Sequence, residues 1–258
     1  EKSPGGAIAM LKEGVFDKYK PDVILAQHVF PDLPAGFAGF KAGYYMASSD
    51  EIYITVTGKG GHGALPHKLK DPLLASAHLI TSMEQINSRI LKAGNPSVLT
   101  FGKFIANGAV NIIPDKVEIE GTFRAMDDDW RKEVHAKIKE VCKGISLTFG
   151  VEAKLKIVGG YPSLYNNPKV TEKAHKLAQE FLPKNNAVDL EDIRMTAEDF
   201  SYFGKAYPSC MYRLGVGHTD GKATYPLHSA QFDIDEKAYE TGIGLMYHMV
   251  MGFLSSKI

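Results

Sequence analysis

The spacing of apolar positions changes along the chain, and each change marks a structural element. Ala7, Met10, Leu11 and Val15 recur at helical spacing behind a Pro-Gly-Gly entry, which predicts a short helix over residues 6–16. Residues 22–28 (DVILAQH) form a continuous apolar run of strand length that ends in a polar residue. That pattern predicts a strand buried on both faces, with His28 at its carboxyl end, the edge at which open α/β sheets bind ligands. From Ser48 the pattern alternates: Ile52, Ile54 and Val56 interleave with Tyr53, Thr55 and Thr57, as in a half-buried strand. The loop GKGGHGALPH at 58–67 follows, then an amphipathic helix from Asp71 to Leu91. Strands are predicted over 97–105 and 116–125, separated by NGAVNIIPD, then a helix over 128–149 and a strand over 152–158. The order β-α-β-β-α-β is the ferredoxin-like arrangement, a small sheet with two helices on one face. Beyond it the pattern predicts a helix over 168–181, a helix or turn at AEDFSYF, a strand over 210–214 (CMYRL), a loop carrying His228, and a closing helix from Asp235. The fold class expected is α/β: one domain in two parts, 1–46 and 161–258, interrupted by a ferredoxin-like insertion over 47–160.

Composition narrows the functional classes. The chain has 258 residues, of which 44% are hydrophobic and 23% charged, the balance of a packed globular protein. Thirty Lys and Arg face thirty Asp and Glu, with no basic stripe to meet a phosphate backbone, so a nucleic-acid partner is not expected. Cys142 and Cys210 show no paired spacing, and a reducing cytoplasm is the expected compartment. The most apolar late stretch, 242–254, is short and contains His248, so no membrane span is expected. The chain begins EKSPGG, with no Met and no signal-like stretch, and reads as a piece of a longer protein.

Three residues are candidate metal ligands: Glu1, His28 in QHVFPDLP, and His228 in PLHSAQFDIDE. A hydrolytic metal centre needs imidazoles and carboxylates converging around an open position for water, and its ligands can come from distant strands. The two histidines are 228 − 28 = 200 positions apart, so spacing alone decides nothing. Either could equally be a hydrogen-bonded core or surface histidine. By itself His62 reads as a turn residue in a glycine loop, and Asn111 as a turn residue ahead of Pro114. Arg124 could bind a carboxylate in its planar fork or pair with Asp127 or Asp128. Glu198 and Asp199 are adjacent and do not converge by themselves; Asp199 is expected to cap a helix.

The strings GGAIAMLKEGVF, QHVFPDLPAGFAGFKAGYYMASSDEIYITVTGKGGHGALPH, NIIPDKVEIEGTFR, AEDFSYF and LHSAQFDIDE, in this order, resemble the metal-dependent amidohydrolase and peptidase family of aminoacylases, hippurate hydrolases and auxin-conjugate hydrolases. The resemblance implies a catalytic domain in two parts (1–46 and 161–258) with a lid and dimerisation domain (47–160) between them. It implies two divalent ions (Zn, or Mn, Co or Ni) held by Glu1, His28 and His228, and hydrolysis of an N-acyl amino acid by metal-activated water. His62 and Asn111 take catalytic roles in it, His62 reaching across a homodimer to the partner's site, while Arg124 and Glu198 bind substrate. It also implies that the chain is the C-terminal portion of such an enzyme, lacking the N-terminal part of the catalytic domain and its ligands, and inactive alone. A metallo-carboxypeptidase or dipeptidase of the same fold, and an incomplete piece acting as a dimerisation and recognition module, remain the alternatives.

Overall fold

A computed structural model describes residues 5–255. In chain order the elements are α1 (Gly6–Lys12), β1 (Ile24–Pro34), β2 (Ala38–Phe40), β3 (Gly43–Met46), β4 (Asp50–Thr57), β5 (Gly61–His62), α2 (Pro72–Gln85), β6 (Ser97–Ile105), β7 (Ile112–Ile113), β8 (Lys116–Ala125), α3 (Asp128–Phe149), β9 (Glu152–Gly159), β10 (Leu164–Asn166), α4 (Pro168–Phe181), β11 (Ala187–Asp189), α5 (Ser201–Ala206), β12 (Ser209–Gly217) and α6 (Lys237–Ser255). They divide into two compact units. One comprises Met46–Ser163 with Met195–Glu198; the other holds the segment up to Tyr45, Leu164–Arg194 and the segment from Asp199 onward.

The first unit is the ferredoxin-like sub-domain that the alternating pattern predicts, lid-like as the resemblance implies. Its sheet is fully antiparallel in the order β6-β8-β4-β9. Ile52, Ile54 and Val56 of β4 point to one face, where Ala75, Leu79 and Met83 of α2 and Trp130, Val134, Ile138, Cys142 and Ile145 of α3 close a single core. Each helix starts at an aspartate. The Asp71 carboxylate accepts from the Leu73 and Leu74 amides at 2.8 and 3.0 Å, and the Asp127 carboxylate accepts from those of Asp129 and Trp130 at 2.8 and 2.9 Å. A cap of this kind stabilises a helix by about 1 kcal/mol. The helix expected to run to Leu91 stops at Gln85 and continues as a π turn over Ile86–Ile90. There the Leu91 amide reaches the Ile86 carbonyl at 2.9 Å.

The second unit is a four-stranded mixed sheet in the order β1-β12-β2-β11, with β1 parallel to β12. Apolar residues of α4 (Val170, Ala174, Ala178) and α6 (Leu245, Met249) cover Phe40, Cys210 and Tyr212. Here the sequence expectation needs correcting. Among the described residues β1 stands at the end of the sheet and is only half-buried, whereas β12 is buried at all nine positions. Nor does β1 end at His28; it runs on to Pro34. Asp199 does cap a helix, as expected, but one far away in sequence: its carboxylate accepts from the Ala7 amide of α1 at 2.9 Å. No described helix is long and apolar enough to cross a membrane.

Candidate active site

In the second unit, strand register fixes which side chains meet. His28 lies opposite Arg213 on parallel β1 and β12, and Gln27 lies opposite Tyr212. Because side chains alternate, Gln27 and Tyr212 share the face covered by α4 and α6, where the Tyr212 hydroxyl donates to Gln27 Oε1 at 2.8 Å. His28, Phe30 and Arg213 therefore share the opposite face. Arg213 is 2% exposed, and its Nε donates to the Tyr45 hydroxyl at 2.6 Å.

His28 Nδ1 lies 2.8 Å from the Val29 carbonyl oxygen. A carbonyl can only accept, so Nδ1 carries the proton and Nε2 keeps its lone pair, the arrangement common in metal-binding histidines. The pKa of His28 is lowered by burial, against a smaller opposing effect of the Val29 hydrogen bond. The nearby positive charges of Arg213, His228 and Arg194 lower it further. The fold thus brings His28 and His228 within electrostatic reach of one another across two hundred positions of sequence. His228 has φ +66°, in the left-handed region that a histidine seldom occupies.

In the lid, the glycine loop serves a purpose. A Cβ on Gly60 would strike the Ile113 carbonyl and Pro114, so only glycine lets this loop pair closely with the 111–115 segment. His62 lies opposite Ile112 on β5 and β7, and the Gly63 amide donates to the Asn111 carbonyl at 2.9 Å, so the loop places His62 beside Asn111. The Ala64 amide donates to His62 Nδ1 at 3.1 Å. Since that nitrogen accepts, the ring's proton sits on Nε2, making His62 a donor at its exposed end. Arg124 on β8 is half-buried, and its Nη1 donates to the Met195 carbonyl at 3.3 Å. Glu198 groups with this unit and is half-buried.

Glu1 lies outside the described residues. Among the described residues no group of three or more His, Cys, Asp or Glu side chains converges to hold a metal ion. His28 and His228 suit such a centre in kind, as imidazoles, but not in number; these residues alone do not fit a dinuclear site. The sequence reading also passed over Arg213, Arg194 and Tyr45. The signal for Arg213 was a lone charge inside the apolar run CMYRL, which requires a buried partner.

A family model described as peptidase family M20/M25/M40 matches residues 1–252. N-acetyldiaminopimelate deacetylases from Bacillus subtilis and Brevibacillus brevis are each 34% identical to the chain. They align over 99% and 95% of it, and over 65% and 64% of their own lengths. The chain therefore spans about two thirds of these relatives' length. A Staphylococcus aureus structure described as an aminohydrolase superposes with a TM-score of 0.86 at 32% identity, covering 99% of this chain and 63% of that one. A Bacillus subtilis structure described as a dinuclear metal binding peptidase of the M20 family gives 0.77 at 25% identity, covering 97% and 62%. These matches overturn one expectation. The expected likeness, that of a C-terminal portion lacking the N-terminal part of the catalytic domain, gives way to a match over residues 1–252 that runs through both units.

Proposed function

Starting from the premise that the chain belongs to peptidase family M20/M25/M40, we propose that it serves metal-dependent hydrolysis of the amide of an N-acyl amino acid. The observation that carries this reading is the pair of imidazoles on one unit, His28 held with its Nε2 lone pair available and His228 close enough to perturb it. The curated relatives, named as deacetylases of an N-acetylated amino acid, support the substrate class. In this reading His28, His228 and Glu1 would be among the ligands of two divalent ions (Zn, or Mn, Co or Ni), which would supply an activated water and polarise the scissile carbonyl.

The remaining roles belong to the lid. His62 presents its Nε2–H to the oxyanion that develops on the carbonyl, a contribution that counts most in a water-excluded site. Asn111 stands beside it as a second polar group. Arg124 takes the substrate carboxylate in its fork, and Glu198 contacts substrate. The same loop tip exposes Val110 fully and Ile112 by half, apolar surface suited to burial against a second copy, which supports a homodimer through the lid. Cys142 and Cys210 remain free buried thiols, in keeping with a cytoplasmic setting.

Metal analysis together with hydrolysis assays on N-acetyl and N-benzoyl amino acids and on dipeptides tests the reading. Bound divalent metal and faster cleavage of the acyl amino acids are expected. Preference for dipeptides would move the substrate class to a peptidase, and absence of both metal and amide hydrolysis would sink the proposal.

A further inference from the structure

The face of β1 that carries His28 carries a second feature that hydrolysis of the amide does not require. Phe30, two positions on and on the same face, has two guanidinium groups over its ring: Arg194 Cζ lies 4.3 Å from the centroid and Arg213 Cζ 6.0 Å. Arg213 is buried and spends its Nε on Tyr45. Arg194 differs. Its side chain keeps 32% of its surface, its backbone amide is tied to the Tyr45 carbonyl at 2.8 Å, and its guanidinium carbon lies over the Phe30 ring. The carboxylate beside it is Asp32, two positions beyond Phe30, at 3.6 Å with its own side chain 71% exposed. At that distance the pair is a loose surface ion pair, worth little in water.

Two like charges over one ring make a site whose potential favours an anion. A guanidinium presents its donors as a planar fork, the geometry that matches a carboxylate bidentately. We propose that Arg194 is a specificity-determining residue that binds a second carboxylate of the substrate, so that the preferred N-acyl amino acids are dianionic. This rests on the amide-hydrolysis reading. Asp32 acts as a placeholder that the incoming carboxylate displaces. The second carboxylate can belong to the amino-acid side chain or to the acyl group, and the chemistry at Arg194 is the same for both.

The test uses the metal-supplemented protein with matched substrate pairs: N-acetyl-glutamate against N-acetyl-glutamine, and N-succinyl-leucine against N-butanoyl-leucine. The dianionic member of one pair is expected to have the higher kcat/KM, and which pair responds tells which end of the substrate Arg194 reads. Arg194→Gln should collapse that ratio by about tenfold or more, the size of a charge-assisted fork lost, mainly through KM. Arg194→Lys, which keeps the charge but neither fork nor stack, should fall between. Asp32→Asn should move the ratio the other way by freeing the guanidinium. As a readout separate from turnover, calorimetric binding of glutarate should exceed that of butyrate and lose its advantage in Arg194→Gln. Hydrolysis with no preference for either dianionic substrate, or a preference that Arg194→Gln leaves intact, overturns this inference alone. Failure to hydrolyse any acyl amino acid overturns the functional reading beneath it.

Discussion

The two units put buried charge to opposite uses. In the lid, the Asp50 side chain has no exposed surface and is closed into a circuit. Arg131 Nε donates to Oδ2 at 2.8 Å, a second guanidinium nitrogen serves Oδ1, and His135 Nε2 lies 2.8 Å from Oδ2. The circuit fastens α3 to β4, and the groups with candidate chemistry, His62 and Asn111, stand outside it on exposed loops. In the other unit the buried cation, Arg213, sits in the candidate site itself, opposite His28. The histidines differ in the same sense. The Val29 carbonyl leaves His28 a lone pair at Nε2, whereas the Ala64 amide leaves His62 a proton there. One backbone contact of opposite polarity in each unit thus separates a ring that offers a lone pair at Nε2 from one that offers a proton there.

The largest effect that probes this contrast is expected at Asp50. Asp50→Ala removes the buried carboxylate on which Arg131 and His135 converge and should cost about 3–5 kcal/mol in urea unfolding. A loss below about 1 kcal/mol would mean that the circuit does not hold the lid together. Burial raises the Asp50 pKa, but hydrogen bonds from Arg131 and His135 outweigh it and hold the carboxyl below its ordinary 3.8. A carboxyl depressed in the folded state stabilises above its unfolded pKa and loses that contribution as pH falls through the folded one. The stability gap between the parent protein and Asp50→Asn should therefore stay constant at neutral pH and close only below pH 3.8.

His62→Ala, by contrast, should leave unfolding unchanged, because the ring is exposed, while lowering kcat by roughly 10²–10³ with little change in KM. Nitrogen chemical shifts of the two rings sharpen the comparison directly: His28 should report an Nδ1–H tautomer and His62 an Nε2–H tautomer. The same tautomer in both would erase the distinction. Tyr45→Phe removes an acceptor from a buried guanidinium and should cost about 1.5–3 kcal/mol, a smaller loss than at Asp50 because no charge is deleted.

The lid was legible in the sequence because its sheet has one covered face. The alternation of Ile52, Ile54 and Val56 with Tyr53 and Thr55 states which side meets the helices, and Asp71 and Asp127 announce where those helices start. The other unit was harder to read. DVIL and CMYRL look alike as apolar runs, yet among the described residues the strand begun by the first is half-buried and that of the second is buried throughout, and nothing local separates them. Pairing of His28 with Arg213 depends on a register that no local signal encodes. Placement of His62 beside Asn111 was only half legible: the glycines announce a tight loop, but not which segment it meets.

The smallest predicted effect concerns backbone strain. Next to His62 the lid reaches a positive φ with a glycine, Gly61 at +144°, at no cost in side-chain clash. The other unit puts the candidate ligand itself, His228, at +66°. A non-glycine residue there carries of order 1 kcal/mol of strain, and glycine relieves it but loses a comparable amount through the greater freedom of the unfolded chain. His228→Gly should therefore change stability by no more than about 0.5 kcal/mol while removing an imidazole from the site. If thermal unfolding instead shows a loss well above 1 kcal/mol, the ring is holding the loop together and its assignment as a ligand fails. Near-neutral stability with weakened metal binding would mean that the position is occupied by histidine for the sake of its nitrogen, in a conformation that packing alone would have given to glycine.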